Sequence, residues 1–120
     1  MPDFMDDYAL WRRAPFPRLR RGDNLFRRGE NLALIHGDLA LADEHTTQVI
    51  RLVDDGVFKP AREDVMSLLE GIITRLERFG EGATAEEREV IDAHYQYAAL
   101  LHRVYGQFLR IGSSVARDLT

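Results

Sequence analysis

A seven-residue recurrence of side chains constrains the fold of this chain more than any other feature. It runs from residue 25 to residue 53 and comprises Leu25, Leu32, Leu39, Thr46 and Val53. A repeat of this length fits a helix, whereas a strand would alternate with a period of two. The pattern predicts a long helix over residues 24–53. Its apolar arc is predicted to be wide, with a second buried stripe, formed by Leu34, Leu41 and Leu52, beside the first.

Two glycines fall inside this predicted helix. A glycine costs about 1 kcal/mol relative to alanine in a helix interior. We therefore expect the helix to be broken or loose at Gly29, and Gly37 is the alternative position for a break or a close helix crossing.

Two polar side chains, Asp38 and His45, interrupt the predicted apolar arc. A buried carboxylate or imidazole needs a hydrogen-bonding partner. We expect either that the two side chains bond to each other or that they contact a neighbouring helix; a ligand or metal position is the alternative. The opposite face of the helix is predicted to lie in water and carries His36, Asp43, Glu44, Thr47 and Arg51.

Three further segments have helical patterns. One spans residues 3–13, one spans residues 60–79, and one begins at a capping box of Thr84 and Glu87 and runs to about Ile111. Short connections join the long segments. The sequence therefore predicts an all-α protein, an antiparallel helical bundle of three long helices plus a short N-terminal helix.

The length of 120 residues predicts a single domain. Within it we expect an N-terminal helix and Arg-rich extended segment over residues 1–22, the bundle over 23–111 and a tail over 112–120. The chain has no cysteine, which excludes disulfides and thiolate zinc sites. No apolar run approaches the roughly 18 residues of a membrane span, and the acidic N-terminus does not resemble a signal peptide. We expect a cytoplasmic protein without a membrane partner.

Residues 12–28 hold the strongest charge asymmetry. They carry seven arginines and one acid, a net +6 in a chain of net −4, so the remaining residues carry −10. A tandem repeat relates residues 20–26 to 27–33, and in a helix it would stack Arg20 over Arg27. Because arginine binds phosphate and carboxylate bidentately, this segment is the predicted partner- or phosphate-binding surface. Its arginines are Arg12, Arg13, Arg18, Arg20, Arg21, Arg27 and Arg28.

The residues that could carry chemistry are few. There is no cysteine, no serine in a recognisable nucleophile setting, no glycine loop for phosphate and no Glu-x-x-His pair for a di-metal bundle. We assign no catalytic residue, metal ligand or cofactor. His45 and His94 both point into apolar arcs and could meet across the core, with Asp38 or His102 near. Hydrogen-bonded core residues are the favoured interpretation, and a metal or small-ligand site is the alternative.

The favoured function is a non-enzymatic helical protein-interaction module, a homodimer whose Arg-rich segment docks an acidic partner. In this interpretation Trp11, Phe16, Leu25 and Phe26 combine core and interface roles, with Phe16 anchoring an extended segment between two prolines. An alternative is a nucleic-acid-binding accessory protein that uses residues 12–28. The acidic balance of the whole chain, with a pI of about 5.5, disfavours it. A second alternative is a ligand-binding bundle that uses His45 and His94.

Overall fold

The computed structural model describes the backbone of residues 4–20, 26–27, 29–54 and 63–118, and the side chains of residues 6–20, 29–51 and 64–110. Its helices are α1 (Phe4–Arg13), α2 (Leu32–Asp54), α3 (Glu63–Phe79) and α4 (Ala85–Asp118). Two strands of two residues each, β1 (Phe26–Arg27) and β2 (Glu30–Asn31), precede α2. The all-α prediction of three long helices and a short N-terminal one is confirmed.

The helix predicted over residues 24–53 begins only at Leu32, so its predicted start was wrong, and the expected break at Gly29 is a turn between β1 and β2. Gly29 has a φ of +78°, a conformation that glycine adopts without steric cost and a helix excludes. Arg27 pairs with Glu30 in the short antiparallel ladder. Helix α2 then begins after Asn31, whose side-chain Oδ1 accepts a hydrogen bond of 2.8 Å from the Ala33 backbone N–H, as an N-cap does. At Gly37 the helix continues without interruption.

Arg20 and Arg27 do not lie on one helix, so the conditional stacking of the two does not arise. Residues 15–20 form no helix, and Arg27 lies in β1. The local reason is the turn at Gly29 together with Pro15 and Pro17, because a proline lacks the backbone N–H that a helix interior uses.

Helix α4 begins at the predicted capping box. The Thr84 N–H donates to Glu87 Oε1 at 2.9 Å, and the Glu87 N–H donates to Thr84 Oγ1 at 3.2 Å. The helix runs to Asp118, so its predicted end near Ile111 was wrong. Residues 112–118 contain no proline, and a single glycine weakens a helix by only about 1 kcal/mol. The predicted helix start at Pro60 lies outside the described residues.

The core forms where α4 packs on α3 and α1, and where α2 packs on α3 and α4. The first apolar stripe of α2 is buried there and consists of Leu32, Ile35, Leu39, Ala42, Thr46, Val49 and Ile50. The second stripe was wrong at Leu34 and Leu41, which are 65% and 64% exposed, and the side chain of Leu52 lies outside the described residues. The helix turns its other flank, with His36 and Asp43, towards α4 instead. Among the described helices, none has both the length and the apolarity required of a membrane span.

Candidate functional site

A groove lies between α1, the segment that follows it, and α4. Its cavity is about 660 Å³, within the range of ligand-binding clefts. One wall is Leu10 of α1 with residues 14–18, and the other is a stripe of α4. That stripe consists of Ala93, Gln96, Tyr97, Leu100 and Arg103. The lining includes two arginines, Arg18 and Arg103, and no acidic residue.

The wall opposite α4 is an extended segment that two prolines impose. The Ala14 N–H still donates to Leu10 O at 2.9 Å, and the prolines that follow prevent further helix. Phe16, between the prolines, packs edge-on against His36 and Tyr97 with ring centroids 5.2 Å and 5.0 Å apart. Phe16 therefore holds this segment against both α2 and α4.

Behind the groove, a polar cluster joins α1, α2 and α4. Trp11 Nε1–H donates to Asp43 Oδ1 at 2.9 Å and lies 3.1 Å from the Tyr97 hydroxyl oxygen. The Tyr97 hydroxyl donates to the same Asp43 oxygen. Burial raises the pKa of Tyr97 well above its ordinary value, and the hydrogen bond to Asp43 raises it further. Tyr97 is thus a protonated donor throughout the neutral range.

Two histidines form a second polar contact between α2 and α4. His94 is fully buried, and its Nδ1 lies 2.8 Å from Val90 O. Because a carbonyl oxygen only accepts, the proton must be on His94 Nδ1, which leaves Nε2 as an acceptor. His36 Nδ1, 2.9 Å from that Nε2, is therefore the donor. Burial lowers the pKa of His36 and favours its neutral form.

His36 and Asp43 were both predicted to face water, and this was wrong. Each is half-buried because a partner on α4 satisfies its polar atoms: His94 for His36, and Tyr97 for Asp43. The expectation that His94 is a hydrogen-bonded core residue agrees with its position.

The other polar candidates contact neighbouring helices. Asp38 Oδ2 accepts a 2.7 Å hydrogen bond from Arg75, whose guanidinium also donates to Glu30 through Nε and Nη2. His45 Nε2 lies 3.1 Å from the Tyr105 hydroxyl oxygen. Asp38 and His45 therefore contact neighbouring helices rather than each other, Asp38 on α3 and His45 on α4. Both were predicted to be buried, and both are only half-buried.

The suggested meeting of His45 and His94 does not occur, since each bonds to a different residue. His102 Nε2 lies near the surface, 3.4 Å from Glu70 Oε1. Within the described part of the chain, no three histidine, aspartate or glutamate side chains are grouped to hold a metal ion.

Of the seven predicted arginines, the described side chains are Arg12, Arg13, Arg18 and Arg20, and all are exposed. Arg21, Arg27 and Arg28 have side chains outside the described residues. Arg18 and Arg20 border a second, smaller depression together with Glu86 and Glu89. These carboxylates lower the net positive charge of this depression.

The groove itself was missed by sequence reasoning because its walls lie about 80 positions apart in the chain. Two local signals pointed to it, the prolines around Phe16 and the basic residues that flank them. No protein-family model, no curated protein and no solved structure matches this chain.

Proposed function

We propose that this chain is a non-enzymatic interaction module that binds an acidic segment of a partner protein in the groove between α1 and α4. The composition of the groove walls carries this proposal. They offer apolar side chains for contact, two arginines, and no carboxylate. Apolar contact at the centre of an interface supplies affinity, and charge at its rim selects the partner and speeds association.

The same walls favour a protein segment over a nucleic acid. Leu10 and Phe16 present apolar surface in the groove, which a phosphate backbone cannot cover. Non-specific nucleic-acid binding draws its affinity from several phosphate contacts, whereas the groove lining offers two arginines. A peptide that combines carboxylates with aliphatic or aromatic side chains matches both properties of the groove.

The proposal is tested by fluorescence anisotropy with labelled peptides. One peptide carries leucines and glutamates, and its matched control has every glutamate replaced by lysine. Ala93 is exposed and lines the groove, so Ala93→Glu places an acid in the site without disturbing the core. We expect this variant to bind the acidic peptide about tenfold more weakly, since like charges in contact cost over 1 kcal/mol.

Ser67→Glu is the control, because it adds a carboxylate at an exposed position on α3, outside the groove. It should leave the affinity within about twofold of the parent. Equal binding of the acidic and basic peptides, or equal weakening by Ala93→Glu and Ser67→Glu, would contradict the proposal. Tight binding of mixed-sequence DNA that weakens steeply with salt would favour the nucleic-acid alternative instead.

A further inference from the structure

The two arginines of the groove lie at its opposite ends. Ala93, Gln96, Leu100 and Arg103 follow one another at helical spacing along a single stripe of α4. Ten residues of helix separate the first from the last, which is about 15 Å at 1.5 Å per residue. Arg103 marks one end. Arg18 marks the other, since it borders the neighbouring depression together with Ala93.

A contact within the fold restrains one of these arginines. Arg103 Nε lies 3.8 Å from Asp7 Oδ1, and half of the Arg103 side chain remains exposed. Asp7 is itself fixed by a 2.9 Å hydrogen bond from Gln107 Nε2. Arg18 is exposed and follows Pro17, which is buried. Arg103 is therefore restrained at one end of the groove and Arg18 is exposed at the other, with an uncharged stripe of α4 between them.

We propose that the partner segment is a helix of about three turns that carries one acidic residue at each end of an apolar stripe. This rests on the proposed function and adds the conformation of the partner and the spacing of its charges. Ala93 and Gln96, on the α4 wall of the groove, are exposed along the stripe. An exposed stripe of this kind suits a helix that contacts it through residues at i, i+3 or i+4 and i+7.

The length of the α4 stripe sets how many residues separate the two acids of the partner, and this number differs between a helix and an extended peptide. A helix spans about 15 Å with ten residues, whereas a strand spans the same distance with four or five. The helical partner therefore has its two acidic residues about ten or eleven positions apart. An extended partner would need them about four or five positions apart.

The test compares peptides that have these two spacings and equal composition. The helical peptide is held in shape by a side-chain lactam, because short helices are marginal in water. Each acid of the peptide is replaced by glutamine in turn and measured against Arg18→Gln and Arg103→Gln in double-mutant cycles. We expect the helix-spaced peptide to bind more tightly.

Each arginine should couple to one end of the peptide only, changing the affinity by about two- to fivefold, as exposed ion pairs do. Arg78→Gln removes an exposed arginine on α3 and should show no coupling to either end. The emission of Trp11, which the cluster behind the groove surrounds, reports that each variant remains folded.

Tighter binding of the strand-spaced peptide overturns the helical partner and leaves the groove as a binding site. Equal coupling of each arginine to both ends also overturns it, because the charges would then not be placed at separate ends. Failure of every acidic peptide to bind overturns the proposed function as well.

Discussion

The cluster of Trp11, Asp43 and Tyr97 makes a quantitative prediction about how α1 is attached. Asp43→Ala removes the carboxylate oxygen that accepts from both other residues. A hydrogen bond to a charged acceptor contributes about 1.5 kcal/mol at the lower end of its range, which suits a half-buried group. Two such bonds give about 3 kcal/mol, and the better helix propensity of alanine offsets about 0.5 kcal/mol. We expect a net loss of about 2.5 kcal/mol in the free energy of unfolding.

Urea unfolding followed by the emission of Trp11, the only tryptophan of the chain, measures this loss. Thermal unfolding should show a midpoint about 10 °C lower. Glu44→Ala is the control, because Glu44 is the next residue on α2 and is exposed; it should change stability by less than about 0.5 kcal/mol. If Asp43→Ala and Glu44→Ala cost the same, the reasoning is refuted and the carboxylate does not hold α1 in place.

Three further predictions concern the core and the pH dependence of stability. Leu39→Ala should cost about 2–5 kcal/mol in denaturant unfolding, since Leu39 is fully buried; Leu41→Ala, at a mostly exposed position of the same helix, should cost under about 1 kcal/mol, and a similar cost for both would contradict the orientation of α2. The raised pKa of Tyr97 means that only the unfolded chain ionises this group just above pH 10, so stability should fall as pH rises from about 10 to 11 and should fall less in Tyr97→Phe. The lowered pKa of His36 gives stability the opposite dependence on pH, because the unfolded chain binds a proton more readily than the folded one. Stability should fall as pH drops below about 6.5, and the fall should be smaller in His36→Asn. Urea titrations across both pH ranges decide these two predictions, and identical pH profiles in parent and variant would contradict each.

The features that were predicted correctly depend on residues close together in the chain. The break at Gly29 and the cap formed by Thr84 and Glu87 follow from backbone sterics and from hydrogen bonds over three residues. The buried stripe around Leu39 follows from helical periodicity alone. Each of these is decided locally, so the sequence pattern contains it.

The errors concern which flank of α2 is buried. Hydrophobicity alone favours burying Leu34 and Leu41, yet the structure exposes them and half-buries His36 and Asp43. A polar side chain can be buried at low cost when its partner is supplied by another helix. Those partners lie more than 50 positions away on α4, and periodicity within α2 holds no information about them. The groove escaped prediction for the same reason.

The central claim is that an acidic segment binds between α1 and α4, and chemical-shift mapping tests it most directly. Amide resonances of the ¹⁵N-labelled protein are recorded while the acidic peptide is added. We expect progressive shifts that cluster at Leu10, Phe16 and the α4 stripe from Ala93 to Arg103, and no shifts for the lysine peptide. Shifts centred on the exposed leucines Leu34 and Leu41, or none at any peptide concentration, would contradict it.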